Sequence, residues 1–414
     1  MRLRRSRGVR IEAQVADRLV GPPQRRSTVI TALGLTQILA WGSSYYLPAV
    51  LAKPIASATG WRPLWVVGGL SIGLLVAGIV SPHVGRIIER RGGRPVLTAS
   101  AVLLAVGLAG LGLAQSLAGY IGAWAIMGLG MGAGLYDPAF ATLGRLYGAD
   151  ARRAITVLTL FGGLASTVCW PLSAFLTESL GWRGACFVYA AIQLGFSLPV
   201  YHFLLPRAPE RPSQTDRAVK GRQANADRPR PPRRLALIIL LGTALMLSAV
   251  LSTMMSVHML TLLQSRGIAL TAAVALGTLV GPSQVSARFI EMLIAHRHHP
   301  IWTKMASVSF VAAAMSLLVA ALPVLPVALI LYGAGIGLES IARGTLPLAL
   351  FGAEGYAALM GKLALPSLIA QAAAPSVGAS LLALFGSEGL LIALLAIALL
   401  NVGLVSALVR AVRR

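Results

Sequence analysis

Gly85-Arg86-Ile87-Ile88-Glu89-Arg90-Arg91-Gly92-Gly93-Arg94-Pro95 sets five charged residues among eleven, between the apolar runs 64–84 and 96–117. A charged loop caught between two such runs is how a chain turns round at a membrane face. Gly85 lets a neighbouring helix come close and Gly92 permits a tight turn. Glu89 suits the positive N-terminus of a nearby helix, while Arg90 and Arg94 can reach a carboxylate such as Asp150.

Outward from this loop the pattern repeats. About 20 apolar residues cross the hydrocarbon core, and twelve segments qualify: 28–51, 64–84, 96–117, 120–146, 154–177, 184–205, 235–263, 269–293, 302–321, 325–351, 361–384 and 389–409. We number them spans 1 to 12. Gly and Pro are tolerated inside such helices, which accommodates 44 glycines and 23 prolines. Hydrophobic residues make up 56% of the 414 and charged ones 12%, with mean hydropathy +0.76. Soluble chains carry roughly a quarter charged residues, so the solvent implied here is lipid.

The net charge of +23 does not indicate nucleic-acid binding, because the bases lie in short clusters between apolar runs and not on one soluble face. Arg2 to Arg26, Arg90, Arg91, Arg94, Arg152, Arg153, Arg297, Lys304, Arg410, Arg413 and Arg414 fall on alternate loops and the two ends. That bias puts both termini in the cytoplasm of a multi-pass inner-membrane protein. Residues 1–27 read as a basic arm without a cleavable leader, and 206–234, rich in Arg and Pro, as a cytoplasmic linker. The linker separates six-span halves, 28–205 and 235–414. The halves repeat at an offset near 202–204: 85–89 matches 287–291, the glycines of 128–134 match those of 333–337, 147–150 matches 351–354, and Pro171 matches Pro375. Cys169 and Cys186 lie in apolar segments and have neither metal nor redox spacing.

The loop 85–95 resembles the loop 2–3 signature of the major facilitator superfamily, with Glu89 for the commoner Asp and Pro95 for the second base. Twelve spans and the 6+6 repeat extend the resemblance over the whole membrane domain. It implies an all-α fold of two pseudo-symmetric six-helix halves with a substrate site between them. It also implies that Gly85, Glu89, Arg90, Gly92, Arg94 and Asp150 form a gate that latches the halves together. Spans 1, 4, 7 and 10 line the central cavity of proteins this chain resembles. The drug antiporters of that superfamily carry an arginine where this chain has Trp124, and a Gly-Pro-rich run where it reads Cys169-Trp170-Pro171-Leu172-Ser173-Ala174. Both departures count against a multidrug antiporter.

Ionisable groups inside spans are costly and mark function. Asp137 in span 4 is the candidate proton carrier, or else the partner of Arg343 across the cavity. Glu339 and Arg343 lie four apart on span 10 and can pair with each other, leaving Arg343 oriented to take an anionic substrate in a bidentate grip. Gln37, Trp41 and Tyr45 put a polar, aromatic stripe on span 1. His258 in span 7 is a second proton-handling candidate or a hydrogen-bonded structural residue. Met254, Met255, His258 and Met259 read as gap fillers before a copper(I) site. Gln284, Arg288 and Glu291 look like a degenerate second copy of the gating loop, with Arg288 also open to a substrate anion.

The expectation is therefore a monomeric secondary transporter, with no cofactor and no enzymatic activity. It takes a small solute, preferably an organic anion, together with protons by alternating access. The alternative is efflux of a drug or metalloid. No phosphate-binding loop, channel filter or convergent catalytic set is visible in the sequence.

Overall fold

The computed structural model describes residues 23–208, 232–320 and 324–413, and among them it is helical with no strand. The basic residues before Pro23 and most of the expected linker (209–231) lie outside the described residues. Eight helical stretches are long and apolar enough to cross a membrane. The stretch Leu117–Leu204 reverses at Gly148–Asp150 and at Gly181, and Tyr356–Arg413 reverses at Gly386. Gly181 and Gly386 hold φ near 70°, a left-handed conformation that side chains disfavour, which is why glycine stands at both turns. With span 1, built from two shorter helices, the described residues are consistent with twelve passes. Leu64, Trp65, Ile79, Phe175 and Phe203 stand exposed on the outside of the bundle, where lipid is their solvent.

Two of the passes are interrupted where the cavity lies. Span 1 consists of α1 (Pro23–Gly42) and α2 (Leu47–Thr59), parted at residues 43–46. Span 4 consists of α3 (Leu117–Gly134) and α4 (Tyr136–Tyr147), parted at the extended Leu135. Pro138 accounts for this second break. It has no N–H to give the Gly134 carbonyl four residues back, and Gln37 Nε2 donates to that carbonyl instead, at 2.6 Å. The break also turns Asp137 into a first-turn residue of α4, where the helix dipole favours negative charge. Span 10 is one unbroken helix, α5 (Leu325–Phe351).

Close glycine packing fixes how the halves correspond. Gly128 faces the Gly73 carbonyl as Gly333 faces that of Val280, and Gly132 faces Ala77 as Gly337 faces Gln284. Gly130 meets Leu104 of span 3 as Gly335 meets Val311 of span 9. By these contacts Arg288 stands at the register of Ser81, more than a turn deeper than the sequence match to Arg86 implies. It is therefore an interior residue and not a copy of the gating loop.

Among the described residues most buried apolar side chains gather within one half, although Ala372 joins the large cluster of the first half, and a second cluster is shared more fully. Ile88, Phe140, Leu143 and Ile155 of the first half share a cluster with Tyr356, Ala357 and Met360 of the second. That shared core lies toward the end of the bundle that carries the arginine-rich loops. There Gly85 approaches the Ala357 carbonyl and Gly361 so closely that neither glycine has room for a side chain.

Candidate functional site

Trp41, Tyr45, Tyr136, Asp137 and Arg343 line a cavity between the halves, with Leu74 and Ser81 of span 2 and Gln371 of span 11. The Trp41 ring lies 4.9 Å from that of Tyr136 and 5.2 Å from that of Tyr45, centroid to centroid. Trp41 Nε1 donates to Gln37 Oε1 at 3.2 Å, so the interruption of span 4 fixes Gln37 and Gln37 fixes Trp41.

Across this cavity Arg343 grips Asp137 with two bonds, Nε to Oδ1 at 2.9 Å and Nη2 to Oδ2 at 2.7 Å. Their side chains are 20% and 13% exposed. Of the two partners open to Arg343, the structure joins it to Asp137 in the other half and not to Glu339. Glu339 turns instead to Lys304, whose Nζ lies 2.6 and 2.7 Å from its two carboxylate oxygens. Lys304 is not a loop charge: span 9 begins at Pro300, and the Lys304 side chain is wholly buried against spans 7 and 10.

Arg288 is 4% exposed. Nη1 donates to the Thr159 carbonyl of the other half at 2.8 Å, Nη2 to Ser340 Oγ at 2.9 Å and Gln284 Oε1 at 3.4 Å, and Nε to the Gly337 carbonyl at 3.3 Å. All these acceptors are neutral. Tyr136, whose ring lines the cavity, sends its hydroxyl to the same Thr159 carbonyl at 3.4 Å. His258 lies away from this centre, buried, with Nε2 3.2 Å from the Pro375 carbonyl. Met254 and Met255 are buried in the apolar core beside it, and Cys169 and Cys186 are buried free thiols.

At the arginine-rich end, Glu89 Oε2 accepts the Ala357 N–H at 3.2 Å, in the first turn of the last long helix, α6 (Tyr356–Arg413). A carboxylate at a helix N-terminus is favoured there. Arg145 Nε donates to the Glu89 carbonyl at 3.3 Å, and Gly92 turns the chain with φ 81°. Arg90 is exposed. Among the described residues neither it nor Arg94 forms an ion pair with Asp150, whose backbone carbonyl accepts from Arg26.

A further contact between halves was not legible in the sequence. Arg152 Nη1 donates to the His298 carbonyl at 2.9 Å, and His298 Nε2 lies 3.4 Å from Glu291, which also accepts from Thr303. His299 Nδ1 accepts the Ile301 N–H at 3.2 Å and caps span 9. Burial, then the charges of Arg152 and His298, hold the His299 ring below its ordinary value of 6.5. The neutral ring is the one the closed loop stabilises. That contribution is complete above the unfolded value and is lost as pH falls below it toward the depressed one. Acidification from about pH 7.5 to about pH 5.5 is expected to lengthen the distance between spin labels on spans 5 and 9. His299→Asn keeps an acceptor that does not titrate and should abolish the change; a response that persists would place the titration in another group.

Comparison with known proteins adds the following. The model of the Major Facilitator Superfamily matches residues 32–354. Monocarboxylate transporter 11 of Mus musculus is 34% identical over 158 residues, 36% of this chain and 34% of that protein. Its Homo sapiens counterpart is 32% identical over 184 residues, 42% of this chain and 36% of that protein. The chain thus spans about a third of the length of these curated relatives. The human organic anion transporter MFSD10 (TETRAN) has a TM-score of 0.71 at 21% identity, covering 93% of this chain and 100% of that one. The proton:xylose symporter XylE, bound to 6-bromo-6-deoxy-D-glucose, has a TM-score of 0.70 at 12% identity, covering 92% of this chain and 94% of that one.

Proposed function

Since this chain belongs to the major facilitator superfamily, we propose that it carries a small organic anion bearing a carboxylate, together with protons, by alternating access. The observation behind this reading is Arg288. A buried guanidinium satisfied only by neutral acceptors is a positive charge without its counter-charge, which is costly unless an anion visits it. Arg343 is already neutralised by Asp137, so the carboxylate is assigned to Arg288, with Tyr136 between it and the cavity. The relatives named for monocarboxylate and organic anion transport agree with that chemistry.

In this reading the halves are 28–205 and 235–414, joined by 206–234, and the carrier works as a monomer in the inner membrane. The arginine-rich face and both termini lie in the cytoplasm. Glu89 on the N-terminus of α6, Arg152 on loop 8–9 and the Asp137–Arg343 pair hold the cytoplasmic end shut. Opening that end must break all three contacts.

The test is uptake into proteoliposomes of labelled lactate, pyruvate and benzoate, set against xylose, a lipophilic cation and arsenite. At least one carboxylate should accumulate. Arg288→Met should weaken it by about 10- to 100-fold, the loss of a charge-assisted hydrogen bond worth about 1.5–3 kcal/mol; Arg288→Lys should retain part of it. Transport of only the cation or arsenite, or indifference to Arg288→Met, would overturn the assignment.

A further inference from the structure

The two halves provide an internal control for Lys304 and Glu339. Leu104 and Val311 occupy equivalent places against the glycines of spans 4 and 10, so Lys304 stands where the first half has Leu97, and Ser307 where it has Ser100. Gly134 packs on Ser100 Oγ as Glu339 bonds Ser307 Oγ at 2.9 Å. Leu97 is fully buried. The same architectural position is therefore filled once by apolar packing and once by an ion pair. Burying two charges costs several kcal/mol per ion before their attraction returns it, and the fold does not need the expense.

A small cavity adjoins the pair within the second half, lined by Glu339, Ser248, Ser307 and Asn401 together with five aliphatic side chains. Lys304 Nζ also donates to Ser248 Oγ at 3.0 Å, and Asn401 Nδ2 donates to the same oxygen at 2.8 Å. Asn401 Oδ1, by contrast, is buried with no hydrogen-bond partner among the described residues. Span 10 connects this place to the cavity between the halves. Glu339 bonds Lys304, its neighbour Ser340 bonds Arg288, and Arg343 one turn on bonds Asp137.

We propose that the Lys304–Glu339 pair, behind span 10 and inside the second half, is the proton-loading centre of this carrier. It rests on the reading of Arg288 as the carboxylate receptor. One proton from water in the adjoining cavity adds to a Glu339 carboxylate oxygen and gives the acid, while Lys304 stays an ammonium. The charged groups around Glu339 are Lys304 on span 9, Arg288 on span 8, Arg343 on its own helix and Asp137 on span 4. Neutralising Glu339 raises their net charge by one, and a carboxylate arriving at Arg288 lowers it by one. Each ligand therefore favours the other, and by linkage the effect is reciprocal. On the other side of the membrane the carboxylate leaves, Lys304 again demands its counter-charge, and the proton follows.

Two measurements test this. Infrared difference spectra of the purified carrier, titrated without any substrate, should show a carboxylic-acid C=O band that is absent in Glu339→Gln and present in Asp137→Asn. Because Glu339→Gln strands an ammonium, Lys304→Met/Glu339→Gln is examined with it; it restores the uncharged packing of the first half and should fold. In proteoliposomes the ratio of protons to carboxylates moved should fall at least about tenfold in that double variant. A band that disappears only in Asp137→Asn, or a ratio equal to the parent's, would overturn the proposal. If no carboxylate crosses through the parent, it is the Arg288 reading that has failed, and the band alone still decides for or against Glu339.

Discussion

Asp137→Asn should move the two halves out of their closed arrangement by roughly a hundredfold, and Asp137→Arg combined with Arg343→Asp should recover most of it. Both oxygens of the carboxylate are engaged by one guanidinium, and arginine does not shed its proton. Removing one partner of such a pair therefore leaves a stranded charge, at a cost on the order of 3 kcal/mol, equivalent to about two powers of ten in population. The amide of Asn can accept one bond but supplies no charge. The exchanged pair keeps attraction and geometry, yet it puts a cation in the first turn of α4, where the dipole disfavours it by about 0.3–1 kcal/mol. Recovery should be incomplete for that reason. Spin-label distances across the arginine-rich end would report it. A single variant with the parent's distribution would mean that the pair does not hold the halves together.

Gly361→Val should abolish transport while leaving each half folded. A β-carbon on Gly361 would overlap the Ser81 carbonyl and crowd Gly85. Both obstacles are backbone, so neither can turn aside as a side chain would. The simplest relief is separation of spans 2 and 11, which leaves that end of the carrier permanently open. Exchange should fall below about a hundredth of the parent's, with the label distances fixed at their long limit. Gly403→Ala is the control, since nothing lies within 4 Å of a β-carbon there. A Gly361→Val carrier that still cycled would show that spans 2 and 11 need not meet.

The sequence disclosed the passes because hydrocarbon imposes a length on them, and it disclosed the loop at Gly85 because charge between two apolar runs has few readings. It also showed Asp137 and Arg343, since a charge in the middle of an apolar run is conspicuous. Lys304 was hidden by its position near the start of a span, where a base reads as a retained surface charge; only the enclosure of its ammonium by spans 7, 9 and 10 shows otherwise. The depth of Arg288 was hidden by alignment, although a substrate anion there was open from the sequence. The run Ala287-Arg288-Phe289-Ile290-Glu291 matches the gating loop in letters, and a difference in spacing between the halves carries it more than a turn inward. The partner of Glu339 was undecided for a third reason. Two residues four apart share a helix face, yet neighbours on either side can draw them to different partners, and those neighbours come from distant parts of the chain.

Arg288, Arg343 and Lys304 against Asp137 and Glu339 leave the middle of the bundle one positive charge in excess among the described residues. An elementary charge crossing the membrane is worth about 2.3 kcal/mol per 100 mV, so the potential acts on the carrier itself as well as on its cargo. In the proposed cycle the centre without cargo is a single cation, and with one carboxylate and one proton aboard it is a single cation again. The voltage thus does equal and opposite work on the outward and return strokes, and nothing is gained over a full cycle. What the voltage sets in that proposed cycle is where the site waits between strokes: an interior-negative membrane keeps the centre turned toward the cytoplasm, and depolarisation releases it.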